Sequence, residues 1–163
     1  MSDGGRKCRL EPPRHVNAPE WRCNMSIRYA QMEDEAFWFS YDRHISKAEF
    51  FNKVRDKRAY ILLEDGKPIG LLRYNHFWDN TPFCNLLMIT AEHRAKGNGK
   101  RLMEYWECDM KSQGYGMLFV STQADETAQH FYRKLGYRDC GGIVIDIPEY
   151  AQPMELFFLK SIL

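Results

Sequence analysis

Hydrophobic and polar residues follow two periods along this chain, and the two periods separate strands from helices. Short apolar runs bounded by turn residues predict strands over 25–30, 59–63, 68–75, 83–90, 116–121, 137–145 and 154–160. Apolar residues at helical spacing predict helices over 33–41, 46–55, from the glycine turn at 97–99 to about 112, and over 125–135. This order predicts one mixed α+β domain over residues 25–163, preceded by an N-terminal extension over residues 1–24.

Local signals fix several boundaries and connections. Ser46 and Glu49 form a capping-box pattern at the start of the second helix. Asp65-Gly66 is a strong hairpin signal, so the strands on either side of it should pair antiparallel and begin a meander. The strand over 116–121 follows a helix, and a strand–helix–strand of this length predicts a parallel pair with the strand over 83–90.

Composition narrows the class of protein. The net charge of +1 gives no basic excess that would favour nucleic acid binding. No apolar run is long enough to span a bilayer, and the N-terminus lacks the apolar core of a signal peptide. No His-Glu-x-x-His or Cys-x-x-Cys pattern is present, so we expect no metal site. The odd number and scatter of the cysteines predict reduced thiols in a cytoplasmic protein; they are Cys8, Cys23, Cys84, Cys108 and Cys140.

The turn between the strand over 83–90 and the next helix predicts an anion site. Gly97 and Gly99 let an anion approach the main chain, and the first N–H groups of the helix have no internal partner. The basic residues around them are Arg94, Lys96, Lys100 and Arg101. Leu102 stands where a dinucleotide fingerprint needs a third glycine or alanine, and Arg101 stands where a P-loop needs serine or threonine. A turn that uses glycine only for its geometry stays open at this point.

Two motifs together resemble the GNAT N-acetyltransferase family. Arg94-x-x-Gly97-x-Gly99, after an apolar strand, resembles the acyl-CoA pyrophosphate loop. The run from Asp125 to Tyr137 resembles the second family signature, Asn-x-x-Ala-x-x-x-Tyr-x-x-x-Gly-aromatic. The resemblance covers residues 25–163. It implies a mostly antiparallel central sheet flanked by helices, with its two central parallel strands splayed apart.

The resemblance also implies a role for each matching residue. Acetyl-CoA would be the co-substrate, and Tyr132 would be the general acid that protonates the leaving thiolate. Helical spacing alone favours a core tyrosine at this position, whereas the motif favours the general acid. The backbone N–H of Ile89 would stabilise the tetrahedral oxyanion. The residues implied to bind the co-substrate are Leu87, Met88, Ile89, Arg94, Ala95, Lys96, Gly97, Asn98, Gly99, Lys100, Asp125 and Tyr132.

Three positions depart from the family pattern. Asn85 and Val120 occupy places where relatives carry a glutamate base, so the resemblance identifies no general base. The candidates are Asp79, His76 and His44, with a chain of water molecules as the alternative. Asp125 stands where asparagine is usual; it keeps an acceptor for the co-substrate, or it only begins the helix.

Two functions from different classes follow from these residues. The first is an acetyl-CoA-dependent N-acetyltransferase that moves an acetyl group to a primary amine of a small molecule or peptide. The second is a non-catalytic acyl-CoA-binding module of the same fold, acting as a sensor or partner. For the acceptor we predict contacts with Trp38, Tyr41, Trp78 and Asp79. The sequence identifies neither the acceptor nor the oligomeric state, although a strand carrying Phe157 and Phe158 can pair across a homodimer.

Overall fold

The structure, a computed structural model, describes residues 24–163. Its strands are β1 (Met25–Tyr29), β2 (Ala59–Glu64), β3 (Lys67–Phe77), β4 (Thr81–Ile89), β5 (Met117–Gln123), β6 (Arg138–Ile143) and β7 (Glu155–Ser161). Its α-helices are α1 (Glu35–Tyr41), α2 (Lys47–Arg55), α3 (Asn98–Ser112) and α4 (Ala128–Lys134). The predicted order of strands and helices is therefore confirmed. The predicted extension over residues 1–24 lies outside the described residues, except for Asn24.

The strands form one sheet in the order β1-β2-β3-β4-β5-β7-β6. The pairs β1–β2, β5–β7 and β6–β7 are antiparallel, whereas β4 and β5 are parallel. The parallel ladder joins Phe83 with Phe119 and Cys84 with Val120. Both strands continue beyond these pairs, β4 to Ile89 and β5 to Gln123. The fold class predicted from the sequence, including a break in pairing between the central parallel strands, is confirmed.

The chain folds into two compact units. Among the described residues, the first contains those from Asn24 to Leu72 together with Leu87–Gly114. Its core includes the fully buried side chains of Trp38, Phe50 and Trp106. Asp109 of α3 accepts hydrogen bonds at Oδ2 from the hydroxyl groups of Tyr29 (2.7 Å) and Tyr60 (2.6 Å), and these bonds hold the helix against β1 and β2. The predicted cap of α2 forms, because the Glu49 N–H donates to Ser46 Oγ over 3.1 Å.

The second unit contains Arg73–Leu86 together with Tyr115–Leu163. Seven residue pairs join β5 to β7, from Met117–Ser161 to Gln123–Glu155. Leu118, Val120 and Phe158 are completely buried on the face of these strands that also carries Cys84. Every residue of β6 is exposed, as expected for a strand at the edge of the sheet. This unit carries Tyr132, and the first unit carries the glycine turn.

The fourth helix begins later than the sequence predicts. We expected it to begin at Asp125, but α4 begins at Ala128 and Asp125 lies in the turn after β5. The side chain of Glu126 accepts hydrogen bonds from Thr122 Oγ1 and from the Gln123 N–H. These bonds stabilise the turn conformation in place of a first helical turn.

The prediction of five reduced thiols is wrong for Cys108, which is disulfide-bonded. Cys84 and Cys140 are free, whereas Cys8 and Cys23 lie outside the described residues. The scatter of cysteines along a sequence does not reveal which of them approach each other in space, and disulfide geometry depends on that approach. The count therefore could not identify a bonded cysteine.

Two negative findings apply to residues 24–163. No helix there is long and apolar enough to cross a membrane. No group of three or more His, Cys, Asp or Glu side chains there is arranged to hold a metal ion.

Candidate active site

The glycine turn has the backbone geometry of an anion-binding loop. Gly97 is the N-cap of α3 and has a φ of 81°, in the left-handed region that suits glycine. Ala95 also has a positive φ of 57°, which is uncommon for a residue with a Cβ and indicates a loop held in a special shape. Because Arg101 donates the first helical hydrogen bond to Gly97, the amide groups that precede Arg101 at the N-terminus are left for an anion.

Side chains of the first unit hold this loop in place. Arg94 Nε donates to the carbonyl oxygen of Ile89 over 2.8 Å, which ties the loop to the end of β4. Asn98 is buried, and its Nδ2 donates to the His93 carbonyl over 3.0 Å. The His93 ring in turn lies between Thr90 Oγ1 (2.6 Å) and Glu64 Oε2 (2.8 Å). The loop is therefore organised before any ligand binds.

The electrostatics of the loop favour an anion. The first turn of α3 contains no acidic residue, so no carboxylate of that turn opposes the positive end of the helix dipole. Lys96, Lys100 and Arg101 are exposed. Lys100 Nζ lies 3.7 Å from Glu104 Oε1, and this ion pair is weak because both side chains are exposed. The predicted co-substrate residues from Arg94 to Lys100 are therefore consecutive in sequence and lie at the positive end of α3.

Replacing Asn98 tests this organisation. Asn98→Ala removes the bond to the His93 carbonyl, so ordering the loop becomes part of the cost of binding. A lost buried hydrogen bond of about 1–2 kcal/mol predicts a roughly 5–30-fold higher Kd for acetyl-CoA, measured by calorimetry. Ser112→Ala, at the exposed far end of the same helix, should leave the Kd unchanged; equal effects from both variants would contradict a specific role for Asn98.

Tyr132 is a buried phenol in the second unit. It is 7% exposed and packs against Tyr137 and Phe158, with ring centroids 5.9 and 6.2 Å away. Burial raises the pKa of Tyr132 above its ordinary value, and Cys84 and Glu126 add to the rise. Among the described residues none forms a hydrogen bond with the Tyr132 hydroxyl. Tyr132 therefore carries its proton at any physiological pH and has that proton available.

The residues considered for proton removal differ in their surroundings. Asn85 Oδ1 is buried and has no hydrogen-bond partner within residues 24–163. Val120 is completely buried in the core. His76 Nε2 lies 2.9 Å from the Tyr115 hydroxyl, while His44 and Asp79 are exposed.

The four residues predicted to contact the acceptor also differ. Trp38 has no exposed surface, and its Nε1 donates to Asp42 over 3.2 Å, so its ring cannot touch a substrate in this structure. Tyr41 is exposed and packs on Phe37. Trp78 and Asp79 form the turn between β3 and β4, and both have a positive φ. Trp38 and Tyr41 belong to the first unit, and Trp78 and Asp79 to the second.

The sequence did not reveal an aromatic cluster in the second unit. It joins Phe77, Trp78, Phe83, Phe119 and Phe157. Trp78 is the member of this cluster that also stands among the four predicted acceptor contacts. The signal that could have found the cluster is the phenylalanine that each of three strands carries on one face, but it becomes visible only once the order β4-β5-β7 is known.

Comparison with known families agrees with this geometry. The family model described as the acetyltransferase (GNAT) family matches residues 22–137, which is most of the chain. The chain therefore belongs to the GNAT acetyltransferase family. Comparison with curated protein sequences yields no match.

Solved structures share the fold at low sequence identity. An N-acetyltransferase from Staphylococcus aureus Mu50 is 20% identical with a TM-score of 0.71, over 86% of this chain and 99% of that chain. The ribosomal-protein-S18-alanine N-acetyltransferase of Escherichia coli is 15% identical with a TM-score of 0.69, over 85% and 94%. An N-acetylglutamate synthase from Neisseria gonorrhoeae, complexed with coenzyme A and N-acetyl-glutamate, is 16% identical with a TM-score of 0.71, over 86% and 35%.

Proposed function

We propose that the protein is an acetyl-CoA-dependent N-acetyltransferase that moves an acetyl group to a primary amine by direct attack. We assign the activity to the domain over residues 25–163. The observation that carries the proposal is the loop of a GNAT acetyltransferase in anion-binding form, with Gly97 at a positive φ and no acidic residue in the first turn of α3. A related fold complexed with coenzyme A supports the same donor.

The donor is held mainly by backbone groups in this proposal. The pyrophosphate lies against the N–H groups from Ala95 to Lys100, where the helix dipole and basic side chains stabilise negative charge. The pantetheine arm pairs with the main chain of Leu87, Met88 and Ile89, which lies beyond the last β4–β5 pair. Asp125 serves as a further acceptor, from its turn after β5.

In the chemical step, a C–N bond replaces the C–S bond at the acetyl carbonyl carbon. The neutral amine nitrogen attacks this carbon, the new C–N bond forms, and the C–S bond to coenzyme A breaks. The amine loses one proton, and the departing thiolate takes up one proton. The Ile89 N–H stabilises the negative oxygen of the tetrahedral state, as oxyanion donors do.

Tyr132 supplies the proton to the sulfur in this scheme. Its raised pKa keeps the phenol protonated, yet it also makes complete transfer to a thiolate less favourable than from an exposed tyrosine. The hydroxyl therefore first donates a hydrogen bond to the sulfur, and the proton follows as the C–S bond breaks.

The attacking amine must lose a proton to a base or to solvent. Neither Asn85 nor Val120 can accept a proton at neutral pH. A water chain to solvent accounts for proton removal without a dedicated side chain, and Asp79, His76 and His44 stay as alternatives. The same lack of a base supports the second candidate, an acyl-CoA-binding module without turnover.

An amine panel with thiol detection tests the proposal. The protein is incubated with acetyl-CoA and, in turn, a peptide, a polyamine, an amino acid and an aminoglycoside, and free thiol is measured. We expect amine-dependent thiol release with at least one class. Thermal stabilisation by acetyl-CoA without release would favour the binding module, and no stabilisation would contradict both functions. The amine panel addresses neither the cytoplasmic location nor the homodimer, and both stay predictions from the sequence.

A further inference from the structure

The aromatic cluster of the second unit covers one face of the sheet. Phe83 and Phe119 are paired neighbours on β4 and β5, so their side chains point to the same side. Phe157 of β7 pairs with Ser121, two residues beyond Phe119, and therefore shares that side. Phe83 stacks on Phe157 with ring planes 12° apart and centroids 5.8 Å apart. Three neighbouring strands thus carry one apolar layer, in which Phe119 is buried and Phe83 and Phe157 are half-buried.

The last residue of β3, Phe77, and the first residue of the following turn, Trp78, add two rings to this surface. Phe77 lies 5.7 Å from Phe119 and 6.4 Å from Phe157, measured between ring centroids. Trp78 stands edge-on to Phe119 at 5.9 Å and is 68% exposed. A tryptophan with a φ of 52° is a costly turn residue, since bulky side chains rarely adopt this region. The backbone at Trp78 is therefore strained, and this conformation holds the indole over the aromatic face.

Asn85 lies at the border of the aromatic surface. It follows Phe83 by two residues on β4, so it projects to the same side. Its side chain is half-buried, and its Oδ1 has neither water access nor a hydrogen-bond partner within the described residues. A buried carbonyl without a partner is destabilising, and a ligand N–H would satisfy it. The broad, two-fold χ2 torsion of asparagine lets the amide turn toward a ligand lying on Phe83.

The charge of this face suits a cation on an apolar body. Along β4, β5 and β7, the positions on the same face as Phe83, Phe119 and Phe157 include no lysine or arginine and one carboxylate, Glu155. A second carboxylate, Asp79, follows Trp78 directly in the turn. Aromatic faces also attract an ammonium group by cation–π interaction.

We infer that the acceptor is a primary amine carried on an aromatic or similarly apolar body, which lies on the aromatic surface while its amino group hydrogen-bonds to Asn85 Oδ1. The inference rests on the proposed function and specifies its acceptor. A polyamine fits this surface less well, because its thin alkyl chain covers little of the rings and both of its charged ends must give up water.

A comparison of acceptors tests the inference in the full-length protein. With saturating acetyl-CoA, kcat/KM is measured by thiol release for 2-phenylethylamine and for butane-1,4-diamine. We expect at least a tenfold preference for the aromatic amine. Turnover with both amines and no preference would overturn the inference while leaving the acetyltransferase function intact.

Two variants separate a binding role from a structural one. Phe83→Leu keeps apolar volume and removes the ring, so KM for 2-phenylethylamine should rise about 5–10-fold with the Kd for acetyl-CoA unchanged. Asn85→Leu removes the unpartnered oxygen, so the melting temperature should stay equal or rise while kcat/KM falls at least tenfold. Unchanged kinetics in both variants would contradict the inference.

A binding measurement keeps the inference testable without turnover. Among the described tryptophans, Trp78 is exposed whereas Trp38 and Trp106 are fully buried. In a Trp21→Phe background, which removes the fourth indole, 2-phenylethylamine should therefore quench the fluorescence of the protein that keeps Trp78 and not of the one that also carries Trp78→Phe. Butane-1,4-diamine should quench neither protein. Absence of quenching, or a dimer in sedimentation that Trp78→Ser converts to a monomer, would show that the amine does not occupy this surface.

Discussion

Gly99→Glu should abolish the thermal stabilisation that acetyl-CoA gives to the wild-type protein. A ligand at a hundredfold excess over its Kd stabilises by about 2.7 kcal/mol, which corresponds to a rise of about 5–10 °C for a chain of this size. Gly99 is the second residue of α3, directly at the proposed pyrophosphate site. A glutamate there fills the space of the anion and repels it, so the rise measured by differential scanning fluorimetry should disappear.

A loss of the acetyl-CoA shift in Gly99→Glu reports on binding only if the variant itself is stably folded without ligand. Replacing a helical glycine raises helix propensity by about 0.5–1 kcal/mol, and a carboxylate near a helix N-terminus is favourable. Gly99→Glu should therefore melt at or above the wild-type temperature without ligand. Gly99→Gln has the same size without the charge and should weaken binding less. A full acetyl-CoA shift in Gly99→Glu would show that the donor binds elsewhere.

Tyr132→Phe should lower turnover by about 10²–10⁴-fold, the usual contribution of a positioned general acid. The Kd for acetyl-CoA should stay within about twofold of the wild type, because the ring packing on Tyr137 and Phe158 is kept. The free energy of unfolding should not fall, since the hydroxyl has no hydrogen-bond partner among the described residues. Single-turnover kinetics and calorimetry measure the two effects separately.

The pH dependence gives an independent check on Tyr132. Its raised pKa means that the phenol stays protonated as the pH rises through the ordinary tyrosine range. The alkaline side of the kcat profile should therefore have the same shape in the wild type and in Tyr132→Phe. Tyr137→Phe, which removes the hydroxyl from a buried neighbour, should keep turnover within about threefold. An equal loss in both variants would point to packing and not to proton transfer.

Much of the fold followed from local patterns that tertiary contacts reinforce. The capping box at Ser46, the Asp65-Gly66 hairpin and the periodicity of α3 each gave the correct element, because in each case side-chain chemistry and backbone preference agree. The start of α4 was wrong because the Glu126 side chain accepts hydrogen bonds from Thr122 and Gln123, an alternative to helix that propensity does not contain.

The candidate site was predicted only where it is local in sequence. The loop from Arg94 to Lys100 is one continuous segment, so its glycine spacing was enough to indicate an anion site. The aromatic surface depends on β7 lying next to β5, a neighbour relation between distant segments, and no local pattern contains it. For the same reason the sequence offered Trp38 as an acceptor contact, although the fold buries its ring completely.

The most direct test of the acetyltransferase function follows the acetyl group itself. The protein is incubated with acetyl-CoA carrying an isotope-labelled acetyl group and with 2-phenylethylamine, and the products are analysed by mass spectrometry. We predict that the label appears as an amide on the amine nitrogen, in equal amount to the coenzyme A released, and that Tyr132→Phe suppresses both. Tight acetyl-CoA binding with no labelled amide from this amine or from the wider amine panel would contradict the acetyltransferase function.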